Sequence, residues 1–334
     1  MQRFLAHSEN LLLEHDVLYP HSGRPDRRAI ADGQHLLIPE LRRAGRGGTR
    51  AWDSLATELE EADQDTVVIS SENFDLLSEP EQIADLRGRL AGFEVSVVVY
   101  LRRQDEFLHS YYCLDVLFHG EMRSFDEYRH APKTEPDYER LLAPWEQAFG
   151  LESLIVRPYE KPALAEGDVV ADFCAQIGVD PGEPAATRET PNPINRTYPR
   201  NVINCVLLAR RGGMAEDEIA ELRHLFAAVY RNRKVAADYL SPAQRDALLE
   251  EFDASNRAVA RRYLGREGPL FEALETGDEQ AWQRRYGGTL ADVTASVADA
   301  RAVLARRGRA GAAARRHPPP RKAPAPLKPS APSA

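Results

Sequence analysis

The chain has 334 residues, of which 43% are hydrophobic, 28% charged and 8% aromatic, and a formal net charge of −9. This length buries a sizeable core without disulfide or metal staples, and the composition excludes disordered, fibrous and small disulfide-rich classes. The longest nearly continuous apolar run, Val95–Leu101 with Ser96 inside it, is about seven residues against the roughly 20 that span a bilayer, so no transmembrane segment is expected.

In chain order, the first predicted element is a helix over Arg3–His15, which sets Phe4, Leu5, Leu11 and Leu12 on one side. MQRFLAHSEN lacks the basic flank, apolar stretch and small-residue cleavage site of a secretory leader, so a cytoplasmic location is expected. LLIPELRRA reads as a broken helix or loop, and a helix follows at Trp52–Ala62. The β-branched runs Thr66–Ser70 and Glu94–Leu101 read as buried strands, with a helix at Glu79–Leu90 between them. Helices at Asp105–Phe118 and Asp137–Phe149, a third strand at Leu154–Arg157 and a helix at Asp168–Ile177 continue the alternation. Such alternation predicts βαβ units and a mostly parallel sheet covered on both faces. From Arg200 the strand signal stops. Asn201–Arg211, Glu216–Arg231, Pro242–Leu264 and Leu290–Arg306 predict a helical C-terminal part, reached through the Pro-rich linking stretch TPNPINRTYPR with Asn195 and Arg196.

Charge divides the chain unevenly. Residues 1–300 hold 34 basic against 52 acidic side chains, whereas nine Lys and Arg and no acid lie from Arg301 onward. Seven of the 23 prolines fall in residues 306–334, a tail with too little apolar surface to offset its ordering entropy, so it is expected to be disordered. The expected organisation is an α/β domain with a helical C-terminal part over 1–305, followed by the basic Pro/Ala-rich tail 306–334. An acidic body with a basic extension is not the charge pattern of a nucleic-acid-binding domain, and no nucleic-acid partner is expected. Cys113, Cys174 and Cys205 form no CxxC pair, and the scattered His7, His15, His21, His35, His119 and His130 have no ligand spacing. Buried reduced thiols and no metal are therefore expected.

Ligands of open parallel sheets bind beyond the carboxyl ends of the strands. After TVVIS come Ser71, Glu72, Asn73 and Phe74; after VSVVVYL come Arg102, Arg103, Gln104 and Asp105, with Ser110 about two turns into the next helix. A cation at a strand end beside a helix N-terminus suits a phosphate. The alternative is a pair of solvent-facing arginines and a surface serine.

The segment VVVYLRRQDEFLHSYY resembles the 3′-phosphate-binding element of sulfotransferases that use 3′-phosphoadenosine 5′-phosphosulfate (PAPS), in which a strand ends in Arg and a Ser follows eight residues later. QRFLAHSENLLLEHDVLYP, VVISSENF, LIVRPYEK and LSPAQRDALLEEFDASNRAVARRYLG resemble bacterial members of that family, so the resemblance spans residues 2–265. It implies a P-loop-like three-layer core and PAPS as co-substrate, without a metal. The activity implied is transfer of a sulfuryl group to a hydroxyl or amine on an unidentified acceptor, whether carbohydrate, lipid, peptide or small molecule. It also implies that Arg102 and Ser110 hold the 3′-phosphate. Glu72 is the candidate base, with His109 as the second choice, because family members use either residue type; the alternatives are that Glu72 caps the following helix or pairs with a local cation, and that His109 faces solvent. Arg157 is expected to form an ion pair with the acidic body; the alternative is that it faces the cofactor.

The resemblance breaks at the start. Relatives open with a strand and a KTGTTS-like loop that cradles the 5′-phosphosulfate, and here Met1 and Gln2 stand where that loop ends. Three expectations follow from this: a longer gene product, a non-catalytic nucleotide-binding or scaffold relative that uses its basic tail, or replacement of the loop by Gly45–Arg50 (GRGGTR). A small-molecule kinase is disfavoured by the lack of a GK[ST] motif.

Overall fold

The computed structural model describes residues 1–25, 32–42, 50–131, 136–182, 198, 200–229, 239–273 and 277–286. The predicted helix at Leu290–Arg306, the tail, Gly45–Thr49, Asn195 and Arg196 lie outside these residues.

The apolar stripe read over Arg3–His15 is present, with Leu5 and Leu12 fully buried, but Ser8 divides the helix into α1 (Gln2–His7) and α2 (Glu9–Glu14). The chain then forms β1 (Val17–Leu18), a strand too short to register as a pattern. It pairs in parallel with β2 (Thr66–Val67). Among the described residues two helices lie between them, α3 (Leu37–Arg42), from the stretch read as a broken helix or loop, and α4 (Arg50–Glu60).

Only the first two residues of the run Thr66–Ser70 join the strand ladder, because a side chain takes over the backbone pairing. Val68 N–H still donates to Leu18. Two residues on, Ser70 exchanges bonds with fully buried Gln34: the Gln34 N–H donates to the Ser70 carbonyl, and the Ser70 N–H donates to Gln34 Oε1, each at 2.8 Å. The Gln34 amide completes itself by donating from Nε2 to the Pro20 carbonyl at 2.8 Å. The buried Gln34 amide and the Ser70 backbone thus satisfy one another, which is the condition for burying them.

A 3₁₀ turn, Glu72–Leu76, and helix α5 (Pro80–Arg89) lead to β3 (Val97–Leu101), which pairs in parallel and in register with β4 (Leu154–Pro158). Residues 94–96 of the predicted strand fall outside the ladder. Between these strands run α6 (Gln104–Phe118), α7 (Phe125–Arg129) and α8 (Tyr138–Phe149), and α9 (Val169–Gln176) follows β4. Successive strand residues enter different cores, as period-2 geometry requires. Val68, Val98 and Tyr100 pack with α1, α2 and α9, whereas Ile69, Val97, Val99 and Leu101 pack with α3, α4, α5 and α8. Helices therefore cover both sides of the strands.

From Arg200 the described chain contains only helices: α10 (Arg200–Arg211), α11 (Glu216–Val229), α12 (Pro242–Glu251), α13 (Asp253–Leu264) and α14 (Glu279–Tyr286). The continuous helix expected over Pro242–Leu264 is interrupted at buried Phe252. The third apolar cluster joins this helical part to α6 and α7 through Leu108, Tyr112, Ile203, Val206 and Ile219. No described helix is long and apolar enough to cross a membrane. The three cysteines are buried and form no disulfide among the described residues.

Candidate active site

Strand ends fix the site residues. Arg102 and Arg103 follow β3, and the structure separates their roles. Arg103 donates to Asp105 Oδ1 at 2.7 Å and to Glu106 Oε1 at 3.1 Å, with Glu160 3.8 Å away. Asp105 is only 3% exposed and is shared with Arg245 of α12, at 3.0 Å, so this network ties α6 to α12. Arg102 pairs with no carboxylate among the described residues. Its guanidinium lies over the Tyr159 ring, 4.9 Å from the centroid, just beyond β4. The Arg102 carbonyl accepts the Tyr138 hydroxyl, which pins the backbone at this point.

Ser110 is half-buried in the second turn of α6, about 9 Å along the helix from its first residue, Gln104, at 1.5 Å per residue. Its neighbour Tyr111 donates a hydrogen bond to Asp75 in the 3₁₀ turn after β2. One helix therefore begins at the end of β3 and touches the turn at the end of β2, which brings the stretches carrying Arg102, Ser110 and Glu72 to the same end of the strands. Burial pushes the Asp75 carboxyl above its usual range, against the lowering effect of the Tyr111 hydrogen bond, and neighbouring Glu72 raises it further. The Tyr111 phenol is also pushed up, chiefly by burial and then by Asp75.

Glu72 opens the 3₁₀ turn, but the turn is capped by Ser71, whose Oγ accepts the Asn73 N–H at 3.2 Å. Glu72 is thus not consumed as a cap. It is largely exposed, and His35 lies beside it, with Nε2 3.8 Å from Oε2. The other ring nitrogen, Nδ1, is 2.7 Å from Ser71 Oγ. His35 belongs to the segment that Gln34 stitches to Ser70, so the buried amide that ends the strand also positions the imidazole. Nothing in the sequence marks His35: it lies 36 residues from Ser71 in an aperiodic stretch.

His109, the second candidate base, neither faces solvent nor lines an open site: it is 2% exposed, with neither ring nitrogen hydrogen-bonded. It faces the Tyr239 ring at 5.3 Å, next to Asp105 and Arg245. Burial pushes its imidazole down to about 4. A group enclosed in this way does not meet an acceptor, which removes His109 as a base. Arg157 pairs as expected, with buried Asp172, which also accepts from Tyr100 and from the Ala165 N–H. Among the described residues no group of His, Cys, Asp and Glu is arranged to hold a metal ion.

Comparison with known proteins gives little. No protein-family model matches the chain, and no solved structure matches it. An uncharacterized protein of Archaeoglobus fulgidus is 28% identical over 199 residues, which cover 60% of this chain. The match spans about half of that relative, 54% of its length.

Proposed function

We propose that this chain has a P-loop-like core, binds the 3′-phosphate of a PAPS-type nucleotide at Arg102 and Ser110, and uses Glu72 as the base in sulfuryl transfer to a hydroxyl or amine. The observation that carries the reading is the contrast between the two arginines. Arg103 is saturated by carboxylates, whereas Arg102, stacked on Tyr159, pairs with no described carboxylate and keeps its guanidinium edge for an anion. Arg102 stands just before the first turn of α6, where unpaired backbone N–H groups favour negative charge. PAPS, when bound, supplies the activated sulfuryl group. The residues of this chain hold the nucleotide, orient the acceptor and take its proton.

Titration of the protein with 3′-phosphoadenosine 5′-phosphate (PAP) in a calorimeter tests the reading. Loss of one charge-assisted contact is worth about 1.5–3 kcal/mol, so Arg102→Ala is expected to weaken binding by about 10- to 100-fold, and Ser110→Ala by less. No binding by the wild type would overturn it. Binding without transfer from PAPS to any hydroxyl or amine would leave a nucleotide-binding protein with no transferase activity.

A further inference from the structure

We propose that His35 is a positioning residue that holds Glu72 as a base through a Ser71–His35–Glu72 line; this rests on the reading of Glu72 given above. In this line the Ser71 hydroxyl donates to His35. Ser71 Oγ already accepts the Asn73 N–H at 3.2 Å, and its single hydroxyl proton remains to be donated. The neighbouring polar atom is His35 Nδ1, at 2.7 Å. A neutral imidazole that accepts at Nδ1 carries its proton on Nε2. That N–H lies on the Glu72 side of the ring, with Nε2 3.8 Å from Oε2, longer than a hydrogen bond, so the line requires the exposed glutamate to turn toward the ring. His35 itself is held, because its side chain is only 12% exposed and its backbone N–H donates to the Gly33 carbonyl at 2.8 Å.

The consequence is chemical. An exposed glutamate samples many rotamers, and each must be sacrificed to orient the carboxylate. With Oε2 engaged by the Nε2–H, Oε1 is the oxygen left to face an acceptor. In the transfer step the acceptor O–H or N–H bond breaks and its proton passes to Glu72 Oε1. The freed electron pair bonds to sulfur, and the bond from sulfur to the bridging phosphate oxygen breaks, with PAP leaving as the anion. His35 keeps its own proton throughout.

Two measurements on the full chain decide the matter. Long-range ¹⁵N spectra of the imidazole ring report which nitrogen bears the proton: the Nε2–H form is expected in the wild type and a mixture in Ser71→Ala, while an Nδ1–H form in the wild type would overturn the proposal. Transfer from PAPS is then followed with two phenols. With 2-naphthol, un-ionised at about pH 7, His35→Asn keeps an acceptor for Ser71 but loses the donor facing Glu72, and kcat is expected to fall about 10-fold with unchanged PAP affinity. His35→Gln restores a donor on the Glu72 side and should recover most of that loss. With p-nitrophenol at about pH 8.5, already ionised and needing no base, His35→Asn should cost about twofold or less. Equal losses with both phenols, or an unchanged kcat in His35→Asn, would overturn the role of His35 while leaving the nucleotide site standing. Failure of the wild type to bind PAP, or to transfer to 2-naphthol, would instead remove the reading of Glu72 on which it rests.

Discussion

At the scale of single residues, His109 has the sharpest consequence. Its ring is enclosed by Tyr239, Phe125 and Leu240, and its pKa is pushed down to about 4 by burial, with Arg245 adding to the shift and Asp105 opposing it. The unfolded chain protonates this imidazole near its ordinary value, so it binds more protons than the native state as pH falls. The stability it contributes is complete above about pH 6.5 and is lost as pH falls toward about 4, a change on the order of 3 kcal/mol. Chemical denaturation at about pH 7.5 and pH 4.5 checks this, with His109→Leu expected to show a much smaller acid loss. The sequence could not place this residue. His109, Ser110 and Tyr111 are consecutive, and about 100° of helical rotation per residue sends them to different surroundings. Equally, two adjacent arginines look alike until the carboxylates that saturate Arg103 are known, and those come from Asp105, Glu106 and distant Glu160.

At the scale of elements, strand ends are set by side chains from elsewhere. β2 closes early because Gln34 supplies both a donor and an acceptor to Ser70, and no β-propensity argument contains that information. The arrangement depends on a close approach at Gly33, where a Cβ would stand 2.7 Å from the Ser70 carbonyl oxygen and 2.9 Å from the Gln2 side chain. Gly33→Ala is therefore expected to destabilise the protein by about 1–3 kcal/mol, as overpacking against backbone does, and to disturb the His35 tautomer. Thermal unfolding and ring ¹⁵N shifts measure the two effects. A second link of this kind joins α6 to α13: the buried amides of Gln104 and Asn256 exchange hydrogen bonds at 2.8 and 3.1 Å. Asn256→Leu removes the donor to buried Gln104 Oε1, while Nε2 keeps the Pro136 carbonyl, and is expected to cost about 1–3 kcal/mol, whereas adding Gln104→Leu should recover part of it. Helix positions were mostly legible because apolar periodicity and caps agree, as at Ser241, Pro242 and Gln244, where a capping box opens α12. The breaks at Ser8 and Phe252 were not, since the apolar stripe continues across both.

At the scale of the whole molecule, alternating strands and helices followed by helices alone was readable, because β-branched runs are bounded by helical periodicity up to Gln176 and absent after Arg200 among the described residues. The pairing of strands was not readable, since β1 and β2 contribute two residues each to their ladder. The candidate site was legible in part. Strand-end geometry pointed to Glu72 and Arg102, but His35 and the Tyr111 to Asp75 bond depend on contacts between residues 36 apart.

The shared Asp105 has a wider meaning. It lies one turn before His109 on α6 and forms ion pairs with arginines on two sides, Arg103 next to the candidate phosphate site and Arg245 on a helix well over a hundred residues later in the chain. Truncating Arg245 would return Arg103 a larger share of one carboxylate and relax the start of α6. Arg245→Ala is therefore expected to change PAP affinity by a few-fold, although α12 contains none of the residues proposed to touch nucleotide. In such a molecule the sensitivity of a ligand to mutation is not a map of what the ligand touches, and affinity screens would find α12 before they explained it.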